Sequence, residues 1–274
     1  MDLVHRAADL RKRLANERSV VLVPTMGNLH AGHIALVDIA RAHGRCVAAS
    51  IFVNRLQFQP GGDFDRYPRT LDNDCKMLER AGCHVVFAPD EQEMYPAPQE
   101  MVVTPPRVAE PLEGEYRPGH FQGVATVVAK LFNLFTPQVA VFGKKDYQQV
   151  RVIHALVAQL NFPIGIVEAE TVREPDGLAM SSRNGYLTRD ERAEAVRLGR
   201  NLREIADRVR GGERHYAALE EQAMDDLAAH GWKPDYVAVR SRADLLAPKS
   251  ADVPLVVLGA AWLGRTRLID NLEI

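Results

Sequence analysis

The stretch SVVLVPTMGNLHAGH, residues 19–33, joins a predicted strand to a predicted helix. Apart from Ser19, residues 19–23 are apolar and mostly β-branched, which is typical of a strand buried on both faces of a parallel sheet. Ile34, Leu36, Val37 and Ala40 follow at helical spacing. The chain is therefore predicted to form a strand, a glycine-containing turn and a helix N-terminus in that order.

Two histidines and two glycines lie at this predicted helix N-terminus. His30 and His33 are three residues apart, so on a helical turn they share one face. Gly27 and Gly32 let a ligand approach the backbone, and the unpaired N–H groups of a first helical turn favour an anion. A lone His-x-x-His is commonly a pair of surface histidines, so a phosphate site is predicted here because of the motifs that accompany it.

Composition sets the outer limits. The chain has 274 residues, 46% of them hydrophobic, and a formal net charge of -2. This size predicts one large domain plus a smaller one, and the charge argues against a general nucleic-acid surface. The three cysteines show no metal-ligand spacing and are expected to be reduced thiols. With no signal peptide and no membrane-length apolar run apparent, a cytoplasmic protein without membrane contact is expected.

Strand-like and helical segments alternate up to about residue 175. Further strands are predicted at residues 46–53, 84–88, 139–142 and 164–167, and helices at residues 71–81, 121–135 and 147–160. Five strands with intervening helices predict a doubly wound, Rossmann-like parallel sheet over residues 1–175.

Residues 176–274 are predicted to form a small α+β domain that serves as a lid. Thr188 and Glu191 fit a capping box that starts a long helix ending at the glycine pair 211–212. A helix over residues 215–230 and short strands around residues 236–239, 255–258 and 267–269 follow.

Three further segments place polar side chains at predicted strand ends or at the domain junction. Asn54 and Gln57 follow the second strand, and their amides suit a small polar substrate, although satisfaction of local backbone groups is the simpler interpretation. Lys145, Asp146 and Gln149 follow the strand at 139–142, where a lysine can neutralise phosphate and an aspartate can orient it or face magnesium. A solvated charged turn would look similar. Residues 172–184 combine hydroxyls, a guanidinium and a glycine, suited to a nucleotide, or form a plain linker.

Six sequence blocks together resemble the pantothenate synthetase family. Pro24 to His33 is similar to the His-x-Gly-His element of nucleotidyltransferases and class I aminoacyl-tRNA synthetases, and Met180 to Arg183 is similar to their second, Lys-Met-Ser-Lys-Ser-type element. The remaining blocks are IFVNRLQF at 51–58, RYPRT at 66–70, RPGHF at 117–121 and KDYQQ at 145–149. They occur in family order across residues 24–184.

The resemblance implies ATP-dependent ligation of D-pantoate and β-alanine through pantoyl adenylate, with Mg²⁺ accompanying ATP and no dedicated protein metal site. It also implies a homodimer. His33, His30, Lys145 and Arg183 would be the catalytic residues, with His33 in the family's proton-donor position, although charge stabilisation is the physically simpler role. Pantoate would be held by Gln57 and Gln149, with Asn54 near β-alanine. The ATP site would comprise Met26, Gly27, Asn28, Leu29, His30, Ala31, Gly32, His33, Gly143, Lys144, Lys145, Asp146, Val172, Met180, Ser181, Ser182 and Arg183.

Two departures from the family pattern, one lysine and two competing functions qualify this picture. Arg55 stands where the family often has proline, and Gly61-Gly62 where an acid is frequent, so a less rigid, more basic loop is expected. The Lys144 side chain is expected to be a solvated charge.

One competing function is an adenylyltransferase acting on a phosphate, such as pantetheine phosphate or nicotinamide mononucleotide; the other is a nucleotide-binding regulator without catalysis. The amides of Asn54, Gln57 and Gln149 disfavour the adenylyltransferase. The regulator is disfavoured by four intact residues, His30, His33, Lys145 and Arg183. Arg117 and His120 are either additional ligand contacts or anchors of the helix that follows.

Overall fold

The computed structural model describes residues 1–250 and 252–274. The chain divides into two compact units, the first comprising Met1–Lys144 and Gln148–Glu170 and the second comprising Lys145–Tyr147 and Thr171–Ile274. The main crossing from one unit to the other therefore falls after Glu170, whereas the sequence predicts a domain boundary after residue 175. The division into one domain of residues 1–175 and another of residues 176–274 stays a prediction.

The first unit is a parallel sheet flanked by helices. Its strands are β1 Asp2–Val4, β2 Val20–Thr25, β3 Cys46–Ile51, β4 Val85–Phe87, β5 Val139–Gly143 and β6 Gly165–Ala169. Its helices are α1 Ala7–Leu14, α2 Ala31–His43, α3 Leu71–Arg80, α4 Glu91–Met94, α5 Glu113–Tyr116, α6 His120–Phe135 and, from its second residue, α7 Tyr147–Gln159. Over the described residues the sheet has six strands in the order β1-β4-β3-β2-β5-β6, all parallel. The predicted doubly wound α/β fold is confirmed.

Strand β1 was not among the five predicted strands. It has three residues, of which Asp2 and Leu3 are exposed, and it pairs at the sheet edge with β4, Asp2 lying opposite Val85. An exposed three-residue edge strand has neither an apolar run nor a repeated alternation, so hydrophobic periodicity cannot reveal it.

The core of this unit lies on both faces of the sheet. Val20 and Leu22 pack with the cluster that includes residues of α1, α6 and α7. Val21 and Val23 pack with residues of α2 and α3 on the other face. Alternate side chains of a strand point to opposite faces, so burial on both sides explains the uninterrupted apolar run of β2.

The second unit packs helices against an antiparallel sheet. Its helices are α8 Arg189–Glu194, α9 Val196–Arg210 and α10 Tyr216–Ala229, and its strands are β7 Trp232–Ser241, β8 Leu255–Leu263 and β9 Thr266–Glu273. The strands follow the order β7-β8-β9. This confirms a smaller α+β C-terminal region, with strands longer than predicted because pairing continues through polar residues in β7 and β9 and through the Gly-Ala-Ala run in β8.

The predicted capping box at Thr188 is present. The Glu191 N–H donates to Thr188 Oγ1 over 3.3 Å, and the Thr188 N–H donates to Glu191 Oε2 over 2.8 Å. The single long helix predicted after it is instead α8 and α9, divided at buried Ala195. The Ala195 backbone keeps helical dihedral angles, so side-chain periodicity runs through the break and cannot locate it. None of the helices in the described ranges has the length and apolar character needed to span a bilayer.

Candidate active site

Strand order reverses at β2, which pairs with β3 on one side and β5 on the other. In open α/β sheets, ligands bind outside the carboxyl ends of strands at such a reversal. The chain leaves β2 at Thr25 and turns through Gly27 (φ 82°) and Asn28 (φ 50°) before α2 begins at Ala31. The predicted strand, glycine turn and helix are therefore present, and the left-handed backbone explains the need for glycine at position 27.

His30 and His33 form a reciprocal cap on α2. His30 is the N-cap residue, and its Nδ1 accepts from the Gly32 N–H over 3.1 Å. His33 Nδ1 accepts from the His30 N–H over 3.3 Å, and the two ring centroids are 4.1 Å apart. Because a backbone N–H donates to each Nδ1, a neutral ring carries its proton on Nε2. Both histidines are thus arranged as N–H donors in a first helical turn, where an anion is favoured.

Asp74 braces the turn that precedes these histidines. This α3 residue has an exposed fraction of 0%, and its carboxylate accepts from the backbone N–H groups of Asn28 and Leu29, each over 2.9 Å. Thr70 Oγ1 donates to the same carboxylate over 3.1 Å. Sequence reasoning missed Asp74, because an acid in the first turn of a helix ordinarily complements the helix dipole at the surface.

Asn54 and Gln57 lie together beside Met26. Asn54, 1% exposed, donates from Nδ2 to Gln57 Oε1 over 3.0 Å and to Gly123 O over 3.1 Å. Gln57 Nε2 in turn donates to Met26 Sδ over 3.1 Å. The structure therefore brings these three predicted site residues into one network within the first unit.

Tyr95 completes the hydrogen bonding of Asn54. Its hydroxyl donates to Asn54 Oδ1 over 2.8 Å. Burial raises the pKa of the Tyr95 hydroxyl well above its usual range, so ionisation does not remove this donor around neutral pH. The amide of Asn54 is consequently fixed in orientation, with its NH₂ toward Gln57.

Helix α6 supports the same network from its N-terminus. His120 is its first residue, and the ring Nδ1 donates to Gln57 O over 2.9 Å, while Arg117 Nη1 donates to His120 Nε2 over 3.2 Å. Gly123 lies so close to the 3₁₀ turn Arg55–Gln57 that a Cβ built on it would be 2.3 Å from Leu56 O. His120 and Gly123 therefore position Gln57, which agrees with the anchoring role considered for His120.

The segment after β5 differs from expectation at Lys144. Its side chain is not a solvated charge: Lys144 is 8% exposed and its Nζ pairs with Glu170 Oε1. The expectation was wrong because Glu170, 26 positions later, follows the neighbouring strand β6 and neutralises the ammonium group there. Gly143 ends β5 in the same unit.

Gln149 is partly buried on α7, whereas its neighbour Gln148 is 3% exposed. Gln148 Nε2 donates to Val108 O over 2.8 Å and to Pro111 O over 2.7 Å, and its Oε1 accepts from the Glu113 N–H over 3.0 Å. Gln148 therefore braces the preceding loop, a role that the sequence pattern did not distinguish from that of Gln149.

Arg55 makes two contacts that hold its loop in place. Its Nε pairs with Glu91 Oε1 over 3.0 Å, and its guanidinium carbon lies 3.9 Å from the centroid of the Phe64 ring. The arginine thus brings contacts that a proline lacks, a compensation that residue type alone does not predict.

The second unit contains the remaining predicted ATP residues. Lys145 Nζ lies 3.7 Å from Asp146 Oδ2. Val172 O accepts from the Met180 N–H over 3.0 Å, and Ser181 Oγ accepts from the Arg183 N–H over 3.2 Å, at the start of the 3₁₀ turn Ser182–Tyr186. The segment from Val172 to Arg183 is therefore an ordered hairpin and cap. Across residues 1–250 and 252–274, no group of three or more His, Cys, Asp or Glu side chains is arranged to hold a metal ion.

The reversal of strand order and the histidine-capped helix define a doubly wound α/β protein with a candidate nucleotide-phosphate site at the carboxyl end of β2. The family model described as Pantoate-beta-alanine ligase matches residues 2–273. The chain belongs to this family.

Individual relatives agree with the family match. A pantothenate synthetase of Nitrosospira multiformis is 58% identical over 274 residues, covering 100% of this chain and 98% of the relative. The crystal structure of pantothenate synthetase from Thermus thermophilus is 44% identical, with a TM-score of 0.94 and coverage of 100% and 99%. A pantoate-beta-alanine ligase from Francisella tularensis, complexed with beta-gamma ATP and beta-alanine, is 31% identical, with a TM-score of 0.81 and coverage of 100% and 97%.

Proposed function

We propose that this protein joins D-pantoate to β-alanine at the expense of ATP, through pantoyl adenylate. In the first step a pantoate carboxylate oxygen bonds to the α-phosphorus and the bond to the β-phosphate oxygen breaks, releasing pyrophosphate. In the second step the β-alanine nitrogen bonds to the acyl carbon, loses a proton, and AMP departs. The observation that carries the proposal is the His30/His33 cap at the end of β2 in a chain that matches the family over residues 2–273.

His30 and His33 are proposed to stabilise charge on the ATP phosphates. With Nδ1 of each ring accepting from the backbone, the Nε2–H group is the donor offered to a phosphate oxygen. Pyrophosphate is a good leaving group, so a donor that strengthens its hydrogen bonds as negative charge builds lowers the barrier without transferring a proton. The reciprocal cap supports stabilisation over acid catalysis, because it orients both rings with Nε2 available as a donor before substrate arrives.

Lys145 and Arg183 are proposed to supply positive charge, and the backbone around them to complete nucleotide binding. Lysine acts as a point charge and arginine as a fork that matches phosphate oxygens. The ATP-binding residues of the first unit are proposed to be Met26, Gly27, Asn28, Leu29, His30, Ala31, Gly32, His33, Gly143 and Lys144. Those of the second unit are proposed to be Lys145, Asp146, Val172, Met180, Ser181, Ser182 and Arg183.

Gln57 and Gln149 are proposed to hold pantoate, with Asn54 beside the position of β-alanine. The hydrogen bonds from Asn54 to Gln57 and from Gln57 to Met26 support this, since they preorganise one amide next to the turn that leads to the histidines. Asn54 then acts on substrate chiefly by orienting Gln57.

Magnesium is proposed to enter with ATP. This ion keeps several waters and is usually held by phosphate oxygens and one or two carboxylates, and Asp146, about half exposed beside Lys145, is of that donor type. The ion would neutralise phosphate charge. A homodimer and a cytoplasmic location also remain proposals, carried by the family resemblance and by the sequence respectively.

A substrate-omission assay tests the function. Purified protein is incubated with ATP and magnesium, with or without D-pantoate and β-alanine, and pyrophosphate and pantothenate are measured. Pyrophosphate is expected only with pantoate, and pantothenate only when β-alanine is also present. ATP cleavage that is independent of pantoate would instead indicate another adenylyltransferase, and ATP binding without turnover would indicate a regulator.

The role of His33 is tested by three substitutions. His33→Ala is expected to slow single-turnover pyrophosphate release by roughly 10²- to 10³-fold, since it removes one preorganised donor. His33→Asn keeps an acceptor near Nδ1 and should remain slow, whereas His33→Gln places an amide N–H near the position of Nε2 and should recover part of the rate. His43→Ala, at the other end of α2, is the control. An unchanged rate in His33→Ala would remove this residue from the mechanism.

A further inference from the structure

Two adjacent polar residues lie buried in the last strand. Asp270 and Asn271 of β9 are 5% and 6% exposed and lie opposite Gly259 and Leu258 of β8. Burying an ionised carboxylate and an amide costs free energy unless both are hydrogen-bonded. The hydrogen-bond partners of these two residues show which segments they hold in place.

Asp270 holds the hairpin that leads to Met180. Arg173 donates to its two carboxylate oxygens from Nη1 over 2.7 Å and from Nη2 over 2.9 Å. Arg173 also donates to Gly177 O over 3.1 Å and bridges to Ala179 across the hairpin. One bidentate pair therefore ties both arms of the hairpin to β9, and such a pair fixes direction as well as distance.

The close approach of α9 leaves little freedom to Asp270. A Cβ built on Gly199 would lie 2.8 Å from Asp270 Oδ2. The carboxylate also accepts from the Asn271 N–H over 2.8 Å. Asp270 is thus fixed from the strand and the helix before it meets Arg173.

Asn271 holds the other cationic segment. Its Nδ2 donates to Lys145 O over 2.9 Å, across 126 positions of sequence. The same segment contacts β9 a second time, where Tyr147 Oη donates to Glu273 Oε1 over 3.1 Å. These contacts agree with the placement of Lys145–Tyr147 in the second unit, although α7 continues in the first.

We propose that Asp270 and Asn271 are positioning residues for the nucleotide reaction: Asp270 acts through Arg173 on the segment from Val172 to Arg183, and Asn271 acts through the Lys145 backbone. The inference rests on the proposed function, which gives Lys145 and Arg183 their roles. Because consecutive residues of one rigid strand hold both segments, the two cations keep a fixed relative placement before ATP binds. Preorganised charge stabilises a transition state without reorganisation during the reaction.

A double-mutant cycle tests whether Asn271 acts through Lys145. Asn271→Ala is expected to lower kcat/KM for ATP in pyrophosphate release by roughly 3- to 10-fold, the factor that corresponds to one hydrogen bond, with KM for pantoate unchanged. In a Lys145→Ala background the same substitution should add less than about twofold. Full additivity would mean that Asn271 acts only on stability and would overturn the proposal.

Hydrogen exchange gives a readout that does not need turnover. Asp270→Asn is expected to accelerate exchange of amides in residues 172–184, and Asn271→Ala that of residues around 145. Asp235→Asn is the matched control, because it weakens another partly buried ion pair that involves β9, between Asp235 Oδ2 of β7 and Arg267 Nε of β9 at 2.6 Å. Exchange in these segments and ATP kinetics should be unchanged in the control relative to the wild type. Equal effects in all three variants would contradict the proposal.

Different results would refute the proposed function and the positioning role of Asp270 and Asn271. Wild-type protein that releases no pyrophosphate with pantoate refutes the proposed function, and the role of β9 is then judged by exchange and by equilibrium dialysis of ATP. Unaltered exchange and unaltered ATP affinity in Asp270→Asn and Asn271→Ala refute the positioning role whether or not the wild type is active.

Discussion

Removing the carboxylate of Asp74 should disable the phosphate turn without unfolding the protein. The side chain is fully buried and accepts from the backbone N–H groups of Asn28 and Leu29, each over 2.9 Å. Asn28 is held at φ 50°, a left-handed conformation that asparagine adopts more readily than most other residues besides glycine, but only occasionally. In Asp74→Ala both N–H donors lose this acceptor, so the turn loses the two hydrogen bonds that help to hold this dihedral angle.

The size of the effect follows from those contacts. A hydrogen bond to a charged group contributes about 1.5–3 kcal/mol when its partner is left buried. Asn28 is only partly buried, so water replaces part of its loss, and a total of roughly 3 kcal/mol is expected for the competent turn. If the loss appears as a local rearrangement, the equilibrium ratio of competent to rearranged turn falls by about 150-fold, and this is the upper limit of the effect on the competent population. Single-turnover pyrophosphate release should fall by about 10²-fold.

The assay compares Asp74→Ala with Asp72→Ala under single-turnover conditions with ATP and D-pantoate. Asp72 is exposed in the first turn of the same helix, so its removal has the same effect on the helix dipole but leaves the brace intact. Hydrogen exchange at the amides of Asn28 and Leu29 should accelerate only in Asp74→Ala. Equal rates in the two variants, or a rate loss fully explained by the unfolded fraction, would refute the reasoning.

Three further predictions concern the rest of the first unit. Gly123→Ala places a Cβ 2.3 Å from Leu56 O, which must move by about 1 Å, and a shift of that size is expected to raise KM for pantoate by about 10-fold or more while KM for ATP stays unchanged. Tyr95→Phe removes the donor to Asn54 Oδ1 and should raise KM for pantoate by roughly 2- to 10-fold. Burial raises the pKa of the Cys83 thiol to about 11, so alkylation of this thiol in native protein should be much slower than that of a free cysteine at pH 8.

Each of these has its own check. Gly165→Ala is the control for Gly123→Ala, since a Cβ there meets neighbours only at 3.7 Å, and equal pantoate kinetics in the two variants would show that the close approach is unimportant. For Tyr95→Phe, an unchanged KM for pantoate together with an unchanged melting temperature would count against the fixed Asn54 amide. For Cys83, labelling as fast as that of the half-buried Cys75 would contradict protection by burial.

The predictable part of the site is the part encoded locally. His30 and His33 are three positions apart, and their reciprocal cap follows from helical spacing and from the backbone N–H groups of one turn. The Thr188 cap is also local and was predicted, whereas the sequence predicted only the shared face of His30 and His33 and not the hydrogen bonds of their cap. Strand β1 and the interruption at Ala195 were missed, because the first is too short for periodicity and the second leaves periodicity unbroken.

The remaining part depends on partners that are distant along the chain. Lys144 and Lys145 are adjacent lysines in one charged turn, yet the first is buried against Glu170 and the backbone of the second is held by Asn271. Gln148 and Gln149 are likewise equivalent by residue type, and only the carbonyls of the 108–111 loop select Gln148 as a brace.

By itself, the sequence determined the alternation of strands and helices in the doubly wound region, the smaller α+β region and the placing of His30 and His33 on one face of a helix N-terminus, since hydrophobic period and helical spacing act within a few residues. Tertiary structure alone decided which polar groups are buried and paired. Asp72 and Asp74 occupy the same helical turn, but only Asp74 meets the N–H groups of Asn28 and Leu29, 46 and 45 positions away. The physical reason is that the cost of burying a charge is offset by specific partners, and packing, not spacing, brings those partners within reach.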